Sequence, residues 1–180
     1  MSLLDRGTPP DPYDVLPVRP TFSVTSKDLV DGGVVPIGQV HDSVGGANTS
    51  PHLAWSGQPA ETESFVVTCY DPDAPTGSGF WHWALVDLPG SVTELPTGAG
   101  SGAFAGLPAG AYHVRSDWGG KEYGGAAPPQ GDVPHRYVFT VHAVDVPKLE
   151  INDEVSPAVV GFNLVFHTLA RAVLRVTYQH

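Results

Sequence analysis

The stretch SFVVTCY, Ser64–Tyr70, is an almost uninterrupted apolar run followed at once by the polar sequence DPDAP at residues 71–75. A run of this length that ends in turn residues is typical of a central strand buried on both faces. Two similar runs lie further along the chain, WHWALVDL at Trp81–Leu88 and RYVFTVHAVD at Arg136–Asp145. Together the three runs predict a β-sheet at the centre of the fold.

Shorter segments surround these runs. We predict further strands at Thr21–Ser26, Val34–Val40, Leu53–Trp55 and Ala172–Tyr178, the second interrupted by Pro36 and Gly38 as an edge strand would be. Ser156 before Pro157 indicates the start of a helix. That helix has one apolar face at helical spacing, formed by Val159, Phe162, Phe166 and Leu169. The pattern predicts a mostly β fold with a flanking helix and a sandwich-like core.

The first part of the chain differs in composition from the rest. Residues 1–20 contain five prolines, which fix φ and lack an N–H donor, so we predict an extended N-terminal arm lying along the surface. Residues 21–180 show no internal repeat and no linker, and a chain of 180 residues suits a single domain.

Charge and cysteine content narrow the classes of function. The formal net charge of −10 repels nucleic-acid phosphates, so no nucleic-acid partner is expected. Cys69 is the single cysteine, and the sequence begins without the basic and apolar pattern of a signal peptide. No stretch reaches the ~18 apolar residues of a membrane helix. A cytoplasmic protein is the simplest interpretation.

Polar side chains gather where the predicted strands begin and end. Asp71 and Asp73 follow the central strand, His82 opens the next one, and His135 precedes the longest with Tyr137 two residues on. Residues i and i+2 of a strand face the same side, so His135 and Tyr137 can share a pocket wall. Turn chemistry alone is the alternative for the two Asp-Pro segments. A lone histidine beside an apolar strand is also more often structural than functional.

Two long motifs carry a resemblance to a known family. DPDAP with the downstream His82-Trp83, and PPQGDVPHRYVF at residues 128–139, resemble the signature regions of phosphatidylethanolamine-binding proteins, nearest the bacterial and archaeal branch. NTSPHLAW at 48–55 and YGGAAPP at 123–129 extend the resemblance, which covers about residues 20–178. It implies a β-sandwich of a large central sheet and a smaller sheet.

The resemblance also implies a set of ligand-binding residues: Asp71, Asp73, Pro75, Phe80, His82, Ala127, His135 and Tyr137. Asp71 is the pocket acid, and His82 and His135 are the pocket histidines. Ala127 stands where the family usually has a glycine whose backbone helps to hold the anion. For Asp73 the alternative is a turn or a salt bridge to Arg136. The resemblance leaves open whether the N-terminal arm closes the pocket.

Imidazoles donate hydrogen bonds to phosphate oxygens, and a neighbouring carboxylate favours their charged form. We therefore predict a protein that binds phosphate or a phosphate-bearing small anion, with a phospholipid head group as the most membrane-like ligand, and with no metal or cofactor. The resemblance implies a regulatory role on a kinase or protease, and a homodimer. One alternative is a phosphate-ester hydrolase that uses Asp71 as nucleophile, or Asp71 and His135 as an acid–base pair. Another is a scaffold with a vestigial pocket.

Local predictions concern single residues. The Ala74–Pro75 bond is a candidate cis peptide, because the proline lies in a tight turn. Cys69 should be buried and unreactive, and Trp81 and Trp83 should lie in the core. We interpret the remaining histidines as surface or structural residues: His41, His52, His113, His142, His167 and His180.

Overall fold

The computed structural model describes residues 5–102 and 106–180. Its strands are β1 (Ser23–Thr25), β2 (Leu53–Ser56), β3 (Ser64–Asp71), β4 (Phe80–Pro89), β5 (Glu94–Leu95), β6 (Tyr112–His113), β7 (His135–Val144) and β8 (Thr168–Tyr178). The α-helix, α1, spans Pro157–His167, and short 3₁₀ turns lie at Pro12–Asp14, Ile37–Gln39 and Asp42–Val44.

The strands form two sheets. A five-stranded sheet has the order β6-β4-β3-β7-β8, and a three-stranded sheet has the order β1-β2-β5. Every neighbouring pair within them is antiparallel. The predicted mostly β fold with a large sheet, a smaller sheet and a flanking helix is confirmed.

The main core lies between the two sheets. Side chains of β3 alternate across the large sheet, so Phe65 and Cys69 face inward, where Trp55 of the small sheet packs on Phe65 with ring centroids 5.3 Å apart. Tyr70 points to the opposite, outer face. Cys69 is buried as predicted, and burial raises the pKa of its thiol well above the usual value.

Helix α1 packs on the outer face of the large sheet, but not through the predicted side. Pro157 begins the helix as expected, and the residues that meet the sheet are Val160 and Leu164. Val159, Phe162 and Phe166 are 40%, 66% and 65% exposed, and Leu169 belongs to β8. The helix has apolar residues all around, so periodicity alone could not select the buried side.

Two other local predictions were wrong. Residues 34–40 form no strand; Val34 and Val40 make isolated bridges around a 3₁₀ turn, as Pro36 and Gly38 break the ladder. Trp81 lies partly exposed on the outer face, whereas Trp83 is fully buried in the core.

The arm crosses the outer face of the large sheet. Asp11 pairs with Arg175 Nε at 2.7 Å, the Tyr13 hydroxyl donates to Thr140 Oγ1 at 2.8 Å, and Arg136 donates to the Pro9 carbonyl. Within the described residues, no helix is long and apolar enough to cross a membrane.

Candidate functional site

A pocket of about 210 Å³ opens at one end of the large sheet, where β3 ends and β4 and β7 begin. Seven of the eight predicted residues line it: Asp71, Pro75, Phe80, His82, Ala127, His135 and Tyr137. The antiparallel register explains the convergence, because Asp71 pairs with Phe80 across β3 and β4 while β7 runs alongside β3. The structure thus brings together residues that are up to 66 positions apart, from 71 to 137.

Asp71 organises the turn that forms one wall. Its Oδ1 accepts hydrogen bonds from the backbone N–H groups of Asp73 and Ala74, at 2.8 and 3.0 Å. Its Oδ2 lies 2.7 Å from His135 Nδ1. The turn needs no cis bond: none occurs among the described residues, so the prediction for Ala74–Pro75 was wrong. Both oxygens of this buried carboxylate are therefore already engaged.

His135 lies between two carboxylates. Its Nδ1 faces Asp71, and its Nε2 is 3.0 Å from Asp132 Oδ2. Both ring nitrogens donate only when the imidazole is charged. Burial opposes that charge, but the hydrogen bonds with Asp71 and Asp132 outweigh it and raise the pKa of His135. With a carboxylate at each ring nitrogen, His135 favours its charged form and has no N–H left to donate to a ligand.

The N-terminal arm contributes Arg6 to this chain of charges. Its guanidinium donates to both oxygens of Asp132, at 2.9 and 2.8 Å, and to the Asp73 carbonyl, and it lies 3.3 Å from His135 Nε2. The hydrogen bond from Arg6 holds the pKa of Asp132 well below its usual value. Cations and carboxylates thus alternate from Arg6 through Asp132 and His135 to Asp71.

His82 presents its other nitrogen to the pocket. Its Nδ1 lies 2.8 and 3.1 Å from the carbonyl oxygens of Gly124 and Gly125, and 3.2 Å from the N–H donor Trp118 Nε1. The two carbonyl acceptors are nearer and outnumber the one donor, so we assign the proton to Nδ1. Nε2 remains on the pocket side, 4.0 Å from Asp71 Oδ2. Burial lowers the pKa of His82 despite the nearby Asp71. The neutral ring has no proton on Nε2, so an anion there gains a donor only when the ring becomes charged.

The hydroxyl of Tyr137 is buried without a hydrogen-bond partner among the described residues. Tyr137 is 2% exposed, its ring meets His82 edge-on at 5.0 Å, and no described residue forms a hydrogen bond of ordinary geometry with its Oη. Burial raises the pKa of Tyr137 far above its usual value; the backbone of Ala127 opposes this only weakly. The hydroxyl is therefore a neutral donor. An unpaired buried hydroxyl is costly, so its presence points to a ligand acceptor.

The remaining walls are apolar. Phe80 and Trp118 meet edge-to-face at 5.2 Å beside Pro128 and Pro129. Ala127 has no left-handed φ, so alanine fits this position without backbone strain. The Asp73 carboxylate lies outside the pocket wall and accepts three hydrogen bonds from Arg136 at 2.7–2.8 Å. Asp73 therefore forms the salt bridge to Arg136 that was the alternative to a ligand-binding role.

Sequence reasoning missed Asp132, Arg6 and Trp118. Asp132 lies in the quoted PPQGDVPHRY motif three residues before His135, and that spacing was a usable signal. Arg6 contacts Asp132 across 126 residues of sequence, and no local pattern marks such a contact. Among the described residues, no group of three or more His, Cys, Asp or Glu side chains is arranged to hold a metal ion.

Fold and site define a class: a two-sheet β protein with a small Asp–His pocket at one end of its large sheet. The sequence model of the family described as phosphatidylethanolamine-binding protein matches residues 25–179. The chain belongs to this family. The matched segment begins after the N-terminal arm, so Arg6 lies outside it.

Individual relatives agree with this assignment. The UPF0098 protein YbhB of Escherichia coli is 52% identical over 160 residues, which cover 88% of this chain and all of YbhB. The crystal structure of E. coli YbcL, described as a new member of the mammalian family, is 45% identical, with a TM-score of 0.85 over 88% of this chain and 98% of YbcL. A putative family homologue from Chlamydia trachomatis is 27% identical, with a TM-score of 0.74 over 89% and 98% of the two chains.

Proposed function

We propose that the chain binds a phosphate-type anion in the pocket between Asp71, His82 and Tyr137. The observation that carries the proposal is the unpaired, buried hydroxyl of Tyr137 beside the free Nε2 of His82. One neutral donor and one nitrogen that gains a proton together suit an anionic oxygen. A volume of about 210 Å³ suits an anion or a head group rather than a whole lipid.

Charge balance at the base of the pocket supports the proposal. Arg6 and charged His135 offset Asp132 and Asp71, so the four groups are neutral together. Protonation of His82 then gives the site one net positive charge. An arriving anion and the proton on His82 stabilise each other, which is a linkage between binding and pH.

Binding is better supported than turnover. Asp71, the candidate nucleophile of a phosphate-ester hydrolase, has one oxygen held by two backbone N–H groups and the other by His135. His135 in turn has both nitrogens occupied. Neither group is free to attack or to move a proton in this arrangement. A regulatory partner such as a kinase or protease stays a prediction from the family resemblance.

The test is a sulfate titration followed by backbone-amide NMR at pH 5.5 and pH 7.5. Sulfate keeps its double charge over this range, so any pH dependence belongs to the protein. We expect saturable shifts at Asp71, His82 and residues 127–137, with tighter binding at pH 5.5, because the lowered pKa of His82 leaves its ring neutral at the higher pH. Phosphate and phosphoethanolamine at pH 5.5 then show whether the head group adds affinity.

Two variants make the test specific. His82→Gln should lower the affinity for sulfate at pH 5.5 by about tenfold or more, since a hydrogen bond to a charged group is worth ~1.5–3 kcal/mol. His167→Gln is the control, because His167 pairs with Asp145 outside the pocket. The proposal fails if no shift saturates in the wild type, or if both variants bind sulfate as the wild type does.

A further inference from the structure

A second, larger cavity lies on the outer face of the large sheet. It is a groove of about 560 Å³ between the N-terminal arm and helix α1. Its walls include Val15 and Leu16 of the arm and Phe162 of the helix, and its floor includes Tyr70 and Trp81. The arm lies outside the family match, so this groove has a wall that the family segment does not supply.

Arg171 is the only charged side chain among the described residues that line the groove. It is 7% exposed, it donates from Nη1 to the Pro17 carbonyl at 3.0 Å, and its guanidinium lies 4.7 Å from the centre of the Tyr13 ring. Its Nε has no hydrogen-bond partner in the part of the chain that the structure describes. No carboxylate of the described residues forms an ion pair with it.

The polar neighbours of Arg171 do not balance its charge. The Tyr13 hydroxyl donates to Thr140 and lies 3.4 Å from His142 Nε2, and Thr68 adds a second hydroxyl. Burial, with the nearby Arg171, lowers the pKa of His142 to about 3, so this ring is neutral. Burial also lowers the pKa of Arg171, and Arg19 adds to that effect. The base of the groove therefore has one uncompensated positive charge.

We propose that this groove is a second ligand site, which takes an organic anion with an apolar body and a single carboxylate. Burying an unpaired charge is costly, and a ligand carboxylate beside Arg171 would offset that cost. The aliphatic and aromatic walls would cover the apolar body. The volume lies within the ~300–1,000 Å³ common for small-molecule sites. The proposal is independent of the pocket at Asp71.

Three probes with the same eight-carbon alkyl group and different head groups test whether the groove prefers an anion. Octanoate, 1-octanol and octylammonium are each titrated into the full-length protein and followed by backbone-amide NMR. Octanoate should give saturable shifts at Tyr13, Tyr70, Gly161 and Arg171. We expect 1-octanol to bind about tenfold more weakly, as one partly buried ion pair contributes ~1.4 kcal/mol or more. Octylammonium should show no saturable binding.

A variant that blocks the groove tests whether octanoate binds there. A Cβ at Gly161 would meet no heavy atom within 4 Å, and Gly161 lines the groove, so Gly161→Leu has room for its Cβ and places added side-chain volume at the groove. Leucine also favours the helix more than glycine does. Gly38→Leu is the matched control, with the same open space at its Cβ but a position outside the groove. Only Gly161→Leu should abolish the octanoate shifts.

A charge variant completes the design. Arg171→Gln should remove the preference for octanoate over 1-octanol; should this variant fail to fold, the probe series and Gly161→Leu still decide the question. Equal affinities of octanoate and 1-octanol in the wild type would overturn the proposal. The proposal would also be overturned if the groove resonances shifted with protein concentration in the absence of any probe. That result would mean that a second copy of the protein occupies the groove.

Discussion

The pocket and the groove lie on opposite faces of one sheet, and they differ in whether their buried charges are paired. Adjacent residues of β3 separate them, since Tyr70 lines the groove and Asp71 lines the pocket. In the pocket each charge has an opposite neighbour, from Arg6 to Asp71. In the groove Arg171 has a carbonyl and an aromatic ring as neighbours, but none of the described carboxylates pairs with it.

The difference shows what each cavity still lacks. The pocket has a balanced set of charges and one unpaired neutral donor, the Tyr137 hydroxyl, so a ligand there completes a hydrogen-bond network. The groove has mostly apolar walls and one unbalanced charge, so a ligand carboxylate there completes an ion pair. The variants below test this contrast, beginning with the largest expected effect.

Asp71→Ala should show that the pocket charges act as a unit. The change leaves charged His135 without its Nδ1 partner and leaves two backbone N–H groups unpaired. We expect a loss of ~3–5 kcal/mol in the free energy of unfolding, measured in urea.

The control is Asp145→Ala, since the Asp145 carboxylate is 42% exposed in its pair with His167. This loss should lie within ~0–1 kcal/mol. Similar small losses for both variants would contradict the view that the pocket depends on its charge chain.

Helix α1 offers a comparison of two apolar residues on different sides. Leu164→Ala removes a side chain that is 4% exposed and should cost ~2–5 kcal/mol of unfolding free energy. Phe162→Ala removes one that is 66% exposed and should change it by only ~0.5 kcal/mol. Urea unfolding at several protein concentrations measures both. A large loss for Phe162→Ala would mean that something covers this side of the helix in solution.

Tyr137→Phe should separate stability from binding. Removing a buried hydroxyl that has no partner should raise the free energy of unfolding by ~1 kcal/mol in the absence of ligand. The same variant should bind sulfate about threefold to tenfold more weakly, because one neutral hydrogen bond contributes ~0.5–1.5 kcal/mol. A destabilised Tyr137→Phe protein would show that the hydroxyl is already paired in the free protein.

Arg6→Ala should test the contribution of the arm to the pocket. Without Arg6 the pocket has an excess negative charge, and we expect sulfate affinity to fall about threefold to tenfold, as a partly exposed charge near a ligand contributes on the order of 1 kcal/mol. Arg19→Ala is the control, since Arg19 belongs to the arm but donates to the Val165 carbonyl. Unchanged affinity in Arg6→Ala would remove Arg6 from the binding site.

The histidines should titrate on either side of their ordinary pKa. NMR of the imidazole rings should place His135 above ~6.5 and His82 below it. His135 then contributes stability that is complete below ~6.5 and is lost as pH rises through its folded pKa. His82 contributes stability that is lost as pH falls below ~6.5. Added sulfate should raise the pKa of His82, and an unmoved value would contradict its role as donor.

The sequence alone predicted the elements whose pattern is unambiguous. β3, β4 and β7 are continuous apolar runs, and the motif residues Asp71, His82 and His135 stand at their ends, so both the sheet and the pocket could be placed. The buried side of α1 could not be predicted from the sequence. Val160 and Leu164, which are buried, follow the same helical spacing as the exposed residues Val159, Phe162 and Phe166. Arg6 and the groove depend on how the arm docks, a long-range choice that no local pattern records.

The prolines of the arm have a consequence for its conformational entropy. A flexible backbone loses ~1–2 kcal/mol per residue when it becomes fixed. A proline already restricted in the unfolded chain loses ~0.4–1 kcal/mol less than an ordinary residue. Five prolines at positions 9–20 thus reduce the cost of docking by ~2–5 kcal/mol. The backbone of the arm is therefore already restricted before it docks on the sheet. Its contacts with the sheet have to offset a correspondingly smaller loss of conformational entropy.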